Sequence, residues 1–253
     1  MDRFKLLGFL IAIPGLIAPS AFAQDAVQDD MVKVTVQPYI WVPTLNGSAR
    51  LGQIEAPVHI VPRDFVDGFQ LGAMGHVKIE HKGRLVYADA IFVDYDNRSF
   101  RPFFGQPLLA KIRYLDFGVG LTKSLRLNDS TSMTLSPQVG VQHVALSADV
   151  NGSLIVAKAT GKWWSPSAGL TARLPITKSL SAELAVNAAG FGLGRTNYQS
   201  GSAELRYRLG RRWNIAGGYR MANGRYDSPD GLSIDLDGGG PMVAIAYNFN
   251  LSN

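Results

Sequence analysis

Cysteine is absent from the chain and histidine is rare, with only His59, His76, His81 and His143 present. The absence of cysteine excludes disulfides, thiolate nucleophiles, cysteine-based metal sites and a lipid-anchored N-terminal cysteine. The four histidines have no spacing typical of metal ligands, and no glycine-rich phosphate-binding loop occurs. We therefore expect neither a metal nor another cofactor.

Long apolar runs and a strong excess of one charge are also missing. The net charge is +5, and it falls to +4 without residues 1–23, because Lys+Arg drops from 25 to 23 and Asp+Glu from 20 to 19. No basic helix or aromatic-basic RNA motif accompanies this small excess, so we expect no nucleic-acid partner. After residue 23 no apolar run reaches about 18 residues, so no transmembrane helix is expected.

Residues 1–23 have the features of an export signal. Arg3 and Lys5 form a basic start, 6–17 form a short apolar run, and Ala21-Phe22-Ala23 is a small-x-small cleavage site. The alternative is an N-terminal membrane anchor, but a spanning helix needs roughly 20 apolar residues and this run is shorter. We expect a cleaved signal peptide over 1–23, export through the periplasm, and one mature domain over 24–253.

Alternation between apolar and polar side chains dominates the mature region. In 68–82, for example, Leu71 and Val77 share one side of an extended strand, and His76 and Lys78 share the other. Apolar-out, polar-in alternation of this kind is typical of membrane barrels. It recurs in about ten segments, which are 32–42, 68–82, 84–96, 108–123, 131–148, 161–175, 178–192, 198–210, 212–223 and 233–250.

A soluble β-sandwich would give similar alternation, with its apolar face buried. Strands of about ten or more residues, with Tyr and Trp near their ends, favour a membrane barrel instead. The connections also alternate, with tight turns at 82–83, 127–129, 175–177 and 210–211 and longer loops at 43–67, 97–108, 149–160, 192–198 and 223–234. The predicted fold class is all-β, an antiparallel up-and-down transmembrane β-barrel of about ten strands. Eight strands is the alternative, if one hairpin forms an external flap.

Two features disturb this pattern. Pro137 and Pro166 lie inside predicted strands, where proline cannot donate to the ladder, so bulges or local kinks are expected. Segment 84–96 has mixed faces, because Tyr87 and Asp89 alternate with small and apolar residues. The inward side of this segment is left open.

The stretch 38–47, PYIWVPTLNG, resembles the PYLWxPxLxG opening of a family of bacterial outer-membrane β-barrel proteins. The stretch 64–76, which ends in Gly72-Ala73-Met74-Gly75-His76, also resembles that family's GxMGH segment. The resemblance covers about residues 37–96 and is only architectural beyond them. It implies an outer-membrane barrel and supplies no activity or catalytic residue. The last strand resembles the aromatic-ended strand recognised by barrel-assembly machinery, although Asn250 to Asn253 follow Phe249.

Polar side chains on the predicted inward faces are candidates for lining the lumen. They are His76, Lys78, Glu80, Asp116, Glu183, Glu204, Arg206, Arg208 and Arg220. The favoured interpretation is a network that pairs buried charges in a narrow barrel, and the other is an ion-selective or anion-attracting passage. Lys111 and Arg113 are predicted to face outward near the outer end, where they either contact lipopolysaccharide phosphates or only snorkel.

An enzyme is not favoured, because a lipid hydrolase needs a nucleophile beside a positioned base. His143 and Ser147 are four residues apart on one strand and therefore about 13 Å apart, which is too far for a direct hydrogen bond between base and nucleophile. The first hypothesis is an integral outer-membrane barrel that is structural or a narrow, porin-like passage. The alternatives are a surface interaction or adhesion barrel with binding loops, and an outer-membrane lipid-modifying enzyme. Expected partners are outer-membrane lipid and lipopolysaccharide, with barrel-assembly machinery and periplasmic chaperones during biogenesis. The oligomeric state is left open.

Overall fold

The structure, a computed structural model, describes residues 31–51, 54–97, 108–128, 131–151, 156–193, 196–227 and 232–251. The expected signal peptide lies outside these residues, and so do parts of the predicted connections 43–67, 97–108, 127–129, 149–160, 192–198 and 223–234. No helix in the described ranges is long and apolar enough to cross a membrane.

The described residues form thirteen strands and one short helix. In chain order these are β1 (Val32–Trp41), β2 (Thr44–Leu51), β3 (Ile54–Ile60), α1 (Pro62–Gly68), β4 (Phe69–His81), β5 (Arg84–Asn97), β6 (Leu108–Leu121), β7 (Lys123–Arg126), β8 (Ser132–Asn151), β9 (Val156–Pro175), β10 (Leu180–Ala189), β11 (Thr196–Leu209), β12 (Trp213–Asp227) and β13 (Leu232–Leu251).

Ten of these strands close into an antiparallel barrel in the order β1-β4-β5-β6-β8-β9-β10-β11-β12-β13, and β1 pairs with β13 to complete the ring. β7 continues the line of β6 along β8, and the β2–β3 hairpin is added to one end of β13. The prediction of an antiparallel barrel is confirmed, with ten strands and not eight.

The two ends of the barrel differ. At one end, which we call the turn end, tight turns join the strands. β1 begins and β13 ends there as well. Lys82 (φ 49°) and Gly83 (φ 73°) supply the left-handed conformations that a two-residue hairpin turn requires. The opposite end, which we call the loop end, carries the longer connections.

Apolar side chains cover the outer face between the two ends. Exposed members of this band include Val36, Ile40, Val77, Ile79, Val86, Val119, Val139, Leu184, Leu205, Ile215, Val243 and Ile245. Near the turn end, the rings of Trp213 and Tyr247 are 4.6 Å apart. Towards the loop end, Trp164 contacts His143, with ring centroids 4.3 Å apart. An apolar band with aromatic borders is the surface that a barrel presents to lipid.

β5, whose orientation the sequence left open, turns its odd-numbered residues inward. Tyr87, Ile91 and Val93 are buried, whereas Val86 and Phe92 are exposed on the outer face. The inward side of β5 therefore changes from polar near the turn end to apolar near the loop end.

Three predicted loops contain more regular structure than expected. The 43–67 loop holds β2, β3 and α1, and the 149–160 and 223–234 loops are shortened because four long strands run into them. Beyond the apolar band the outward side chains of these strands are polar, as at Asn223 and Arg225. The alternation that identifies a strand in the sequence is lost there.

Pro137 and Pro166 do not produce the expected bulges, because the β8–β9 ladder keeps one register through both. Pro137 lies where the pairing of β8 is interrupted between β6 and β7. The carbonyl of Pro166 accepts from the Gly190 amide, one residue beyond the β9–β10 ladder that starts at Ser167. Each proline occupies a ladder break or end, where the missing N–H has little cost.

The β2–β3 hairpin continues β13 beyond the loop end of the barrel. Arg50 Nη2 and Glu55 Oε2 are 2.7 Å apart across it, and the hydrogen bond from Arg50 lowers the pKa of the Glu55 carboxyl. The pair therefore stays ionised at a lower pH than a free glutamate, although such exposed pairs contribute little stability. Val58 and Ile60 are buried on the opposite face of the hairpin.

Close approach of β6 and β8 depends on a pair of inward-facing glycines. Gly118 and Gly140 are opposite each other in the ladder. A Cβ on Gly118 would lie 2.1 Å from the Val139 carbonyl oxygen, and one on Gly140 would lie 2.6 Å from the Tyr87 hydroxyl. The two glycines thus leave room for the Tyr87 side chain in the lumen.

Gly118→Ala is expected to lower the free energy of unfolding by about 1–3 kcal/mol, because its Cβ would collide with backbone that cannot move aside. The matched control is Gly217→Ala, since a Cβ on Gly217 meets nothing within 4 Å. Urea unfolding in vesicles, followed by the gel mobility shift between folded and unfolded barrel, measures both. Equal losses in the two variants would contradict this account.

Candidate functional site

Two cavities follow one another along the lumen. The cavity nearer the turn end has a volume of about 140 Å³ and is surrounded by polar side chains, including His76, Asp116 and Arg206. The cavity nearer the loop end has a volume of about 200 Å³ and an almost wholly apolar wall. We call the second one the apolar chamber.

Charged side chains fill much of the lumen around the first cavity. We call this set the polar layer, and it consists of Lys78, Glu80, Asp116, Arg173, Glu183, Glu204 and Arg206. It comprises three cations and four carboxylates, so the charges nearly cancel. Near-cancellation is what allows so many ionised groups to occupy a narrow, poorly hydrated space.

Arg206 is the centre of the polar layer. Its side chain is only 6% exposed, and Nη1 donates to Gln37 Oε1 at 2.7 Å. Nη2 donates to Glu183 at 3.1 Å and to Glu204 at 3.2 Å. Glu183 also accepts from Arg173, whose Nε lies 2.7 Å from Oε2. One guanidinium therefore connects β1, β10 and β11 across the lumen.

Asp116 is held differently, by neutral donors. Ser167 Oγ donates to Oδ1 at 2.7 Å, Asn187 Nδ2 donates to Oδ2 at 2.8 Å, and the Tyr87 hydroxyl is 3.4 Å away. These donors come from β5, β9 and β10. Asp116 therefore joins strands on both sides of the ring without using a cation of the layer.

A second cluster separates the polar layer from the apolar chamber. Arg220 donates from Nη1 to the Tyr39 hydroxyl at 2.9 Å and from Nη2 to Asp89 at 3.2 Å, and Tyr39 also donates to Asp89 at 2.9 Å. The guanidinium lies 5.5 Å from the Trp41 ring. Tyr114 lines both cavities. We call Tyr39, Asp89, Tyr114 and Arg220 the partition.

Apolar and aromatic side chains from most of the ring form the chamber wall. They include Trp41, Leu45, Met74, Ile91, Val93, Ile112, Val144, Leu146, Trp163, Tyr198, Tyr226 and Leu236. Trp163 and Tyr226 stack with ring centroids 3.7 Å apart. From α1, Phe65 packs near Tyr95, whose hydroxyl donates to the Asp64 carbonyl at 3.2 Å. The helix thus helps to cover the chamber at the loop end.

The predicted lumen residues fall mainly in the polar layer or the partition. His76 belongs to neither cluster. Its ring stacks on the Tyr87 ring, with the two centroids 6.4 Å apart. Arg208, expected with the others, is instead exposed at the turn end and donates to the Lys178 carbonyl. Its strand reaches the end of the barrel there, so an inward position no longer faces an enclosed lumen.

The outward candidates Lys111 and Arg113 lie on the outer face near the loop end. Arg113 Nη1 donates to the Val93 carbonyl at 3.1 Å, and its guanidinium also pairs with Asp94 and lies 5.9 Å from the Phe92 ring. Lys111 is exposed. Lys111 is therefore the freer of the two cations for a headgroup phosphate.

Sequence reasoning missed Gln37, Tyr39, Asp89 and Arg173 as lumen residues. Arg173 could have been found, because it continues the small and polar side of β9 that includes Ser165 and Ser167. The apolar chamber could not, because a search for inward polar residues overlooks an apolar stretch of lumen.

Comparison with known proteins adds no argument about the fold or the function of this chain. No family model and no curated protein matches the chain, so the resemblance over 37–96 stays a prediction. Among solved structures, Neisserial surface protein A is 8% identical over 86% of this chain and 97% of that chain, with a TM-score of 0.33. Ail of Yersinia pestis is 10% identical over 87% and 99%, with a TM-score of 0.35. The transport unit of the autotransporter AIDA-I from Escherichia coli is 8% identical over 92% and 94%, with a TM-score of 0.39.

Proposed function

We propose that this chain is an outer-membrane barrel that binds a small apolar molecule in its lumen. The outer-membrane location is supported by the apolar band with aromatic borders and by a charged lumen, a combination suited to lipid outside and water inside. The binding role rests on the apolar chamber, whose wall departs from the polar interior typical of such barrels.

The polar layer and the partition support a lumen that is closed to free diffusion. Arg206 and Arg220 each bond to side chains from other strands across the interior. A solute moving along the axis would have to break several charge-assisted hydrogen bonds, which are among the strongest in proteins. The chamber is therefore proposed to be a binding site and not a segment of a pore.

The volume of the chamber indicates the size of the ligand. In another protein, a dry apolar cavity of about 150 Å³ binds benzene, and this chamber measures about 200 Å³. A single hydrocarbon ring or a short stretch of alkyl chain fits such a space. Aromatic side chains such as Trp163 and Tyr226 offer ring faces and edges for it.

Bromobenzene tests this proposal, because bromine quenches nearby tryptophan fluorescence. In the variant Trp41→Phe/Trp164→Phe/Trp213→Phe only Trp163, in the chamber wall, remains. Saturable quenching in detergent is expected. Ala222→Phe, which fills the chamber, should weaken binding more than about tenfold, equivalent to about 1.4 kcal/mol.

Ala203→Phe is the matched control, because Ala203 is exposed on the outer face whereas Ala222 lines the chamber. It should leave the affinity unchanged. Absence of saturable quenching, or equal weakening by both substitutions, would contradict the binding role.

A narrow passage for small polar solutes is the second candidate. It is favoured by the polar cavity and by two buried atoms beside it, Arg206 Nε and Asn187 Oδ1, that have no hydrogen-bond partner among the described residues. Planar bilayer recordings distinguish the two. Steady unit currents from the purified protein would support the passage, and none above the empty-bilayer baseline would support the closed barrel.

A further inference from the structure

The barrel wall is interrupted between β1 and β4 near the loop end. The β1–β4 ladder runs from Lys33 opposite Glu80 to Pro38 opposite Gly75 and then stops. Beyond Pro38, β1 continues to pair with β13, and beyond Gly75, β4 continues to pair with β5. Among the described residues, no ladder pair joins the two strands past this point. We call this break the seam.

The neighbouring hairpin does not close the seam. β3 pairs with β2, and its described residues form no ladder with β4, although α1 links the two in sequence. The edge of β4 from Phe69 to Met74 is about 17 Å long at the rise of an extended strand. Unpaired backbone in contact with hydrocarbon is costly because lipid offers no hydrogen-bond partner. Such an edge is tolerated only where it borders protein or a cavity, and here Met74 at its end lines the chamber.

The outer side of the seam is apolar. Ile40 on β1 and Leu71 on β4 are 68% and 70% exposed, among the most exposed apolar side chains of the protein. Leu71 is opposite Asp94 in the ladder, and Asp94 pairs with Arg113 on the outer face. This charged pair marks the polar edge of the band, so the seam opens at or just inside the lipid boundary.

The inner side of the seam is the apolar chamber. Trp41 on β1 and Met74 on β4, one from each edge of the seam, both line the chamber. Trp41 is held in place by its Nε1, which donates to the Arg220 carbonyl at 3.2 Å. Met74 has an unbranched, flexible side chain that can change rotamer without moving backbone. Each edge of the seam thus contributes one side chain to the chamber wall.

We propose that the seam is a lateral opening through which a hydrocarbon chain of a lipid in the leaflet at the loop end of the barrel reaches the chamber. The inference rests on the proposed binding role and adds the source and the route of the ligand. The ligand arrives from the membrane and not from the water outside, and Met74 moves to admit it. The partition prevents it from passing further towards the turn end.

A cross-link across the seam tests the route, and the lack of native cysteine makes engineered thiols unique. Ile40→Cys and Ala73→Cys place two exposed positions on opposite edges, to be joined with a short bismaleimide. The matched control joins Leu184→Cys and Ala203→Cys, which are opposite each other in the intact β10–β11 ladder. Both pairs are built with Trp163 as the only tryptophan, and the gel mobility shift verifies folding.

The readout is the fluorescence of Trp163 in vesicles of a phospholipid with dibrominated acyl chains. Trp163 is on β9, five strands from β1 around the ring, so lipid at the outer mouth of the seam cannot quench it. Quenching by lipid against the outer face of β9 is the same in both cross-linked proteins. A several-fold loss of emission is expected relative to unbrominated vesicles. The seam cross-link and Ala222→Phe should remove the part of that loss that comes from lipid in the chamber, and the control cross-link should not.

Equal quenching with and without the seam cross-link would overturn the lateral route. The lateral route would also be overturned if brominated lipid did not quench Trp163 while bromobenzene in detergent still did. That result would leave the binding role intact. Failure of both quenchers would remove the binding role itself. The two proposals therefore fail in distinguishable ways.

Discussion

Replacing Arg206 with leucine should lower the free energy of unfolding by about 3–5 kcal/mol, the usual cost of leaving a buried charge without its partner. Arg206 is nearly inaccessible and bonds to Gln37, Glu183 and Glu204. Arg208→Leu, two residues along the same strand, is the matched control and should change the free energy by no more than about 0.5 kcal/mol. Urea unfolding in vesicles measures both.

The pattern of rescue is more informative than the loss. Within the described residues Glu204 has Arg206 as its ion-pair partner, whereas Glu183 also pairs with Arg173. Adding Glu204→Gln to Arg206→Leu should therefore recover much of the lost stability. Adding Glu183→Gln should not recover stability, because it also leaves Arg173 without its carboxylate partner. Equal rescue by both would show that the stability depends on the total charge of the polar layer and not on which carboxylate pairs with which cation.

Replacing Arg220 with methionine is expected to cost a similar amount, about 3–5 kcal/mol, because the largely enclosed Asp89 carboxylate would keep only the Tyr39 hydroxyl as a donor among the described residues. The double variant Arg220→Met/Asp89→Leu should regain most of this loss. Replacing both members of a buried pair by apolar side chains removes the desolvation penalty of each. A double variant no more stable than Arg220→Met would contradict the assignment of Asp89 as the main partner.

Arg225→Met supplies the control on the same strand. Arg225 is exposed and pairs with Asp227, with Nε and Oδ2 3.3 Å apart. Exposed pairs contribute about 0–1 kcal/mol, so this variant should unfold close to the wild-type urea concentration. A loss comparable to that of Arg220→Met would mean that burial is not the cause of the effect.

The barrel was predictable from the sequence where one face of a strand meets lipid and the other meets polar groups. β4 shows this well, since Val77 and Ile79 are exposed outside and Lys78 and Glu80 pair inside. The same logic predicts that Glu204, Arg206 and Arg220 face inward, and in the structure all three line the polar cavity. It works because an outward apolar and an inward polar position alternate with the period of the strand itself.

Prediction stopped where that contrast disappears. On β5, Ile91 and Val93 face inward into an apolar space, while Asp94 faces outward and pairs with Arg113. Inside and outside are chemically similar over these residues, so no single-sequence rule could orient them. The chamber is built from such positions, and its existence depends on side chains contributed by strands far apart in the chain. The pairing of Asp89 with Arg220, 131 residues away, was beyond reach for the same reason.

The closure of the ring by its first and last strands sets the order of events during assembly. Thr35 bonds to Asn248 across a sequence separation of 213 residues, so this ladder is the slowest kind of contact to form. Until β13 is available, β1 presents an unpaired edge, and an open edge is a template for association with other chains. A nascent barrel of this kind is therefore most vulnerable to misassembly just before completion. Losing β13 would leave two exposed edges in place of a nearly finished cylinder.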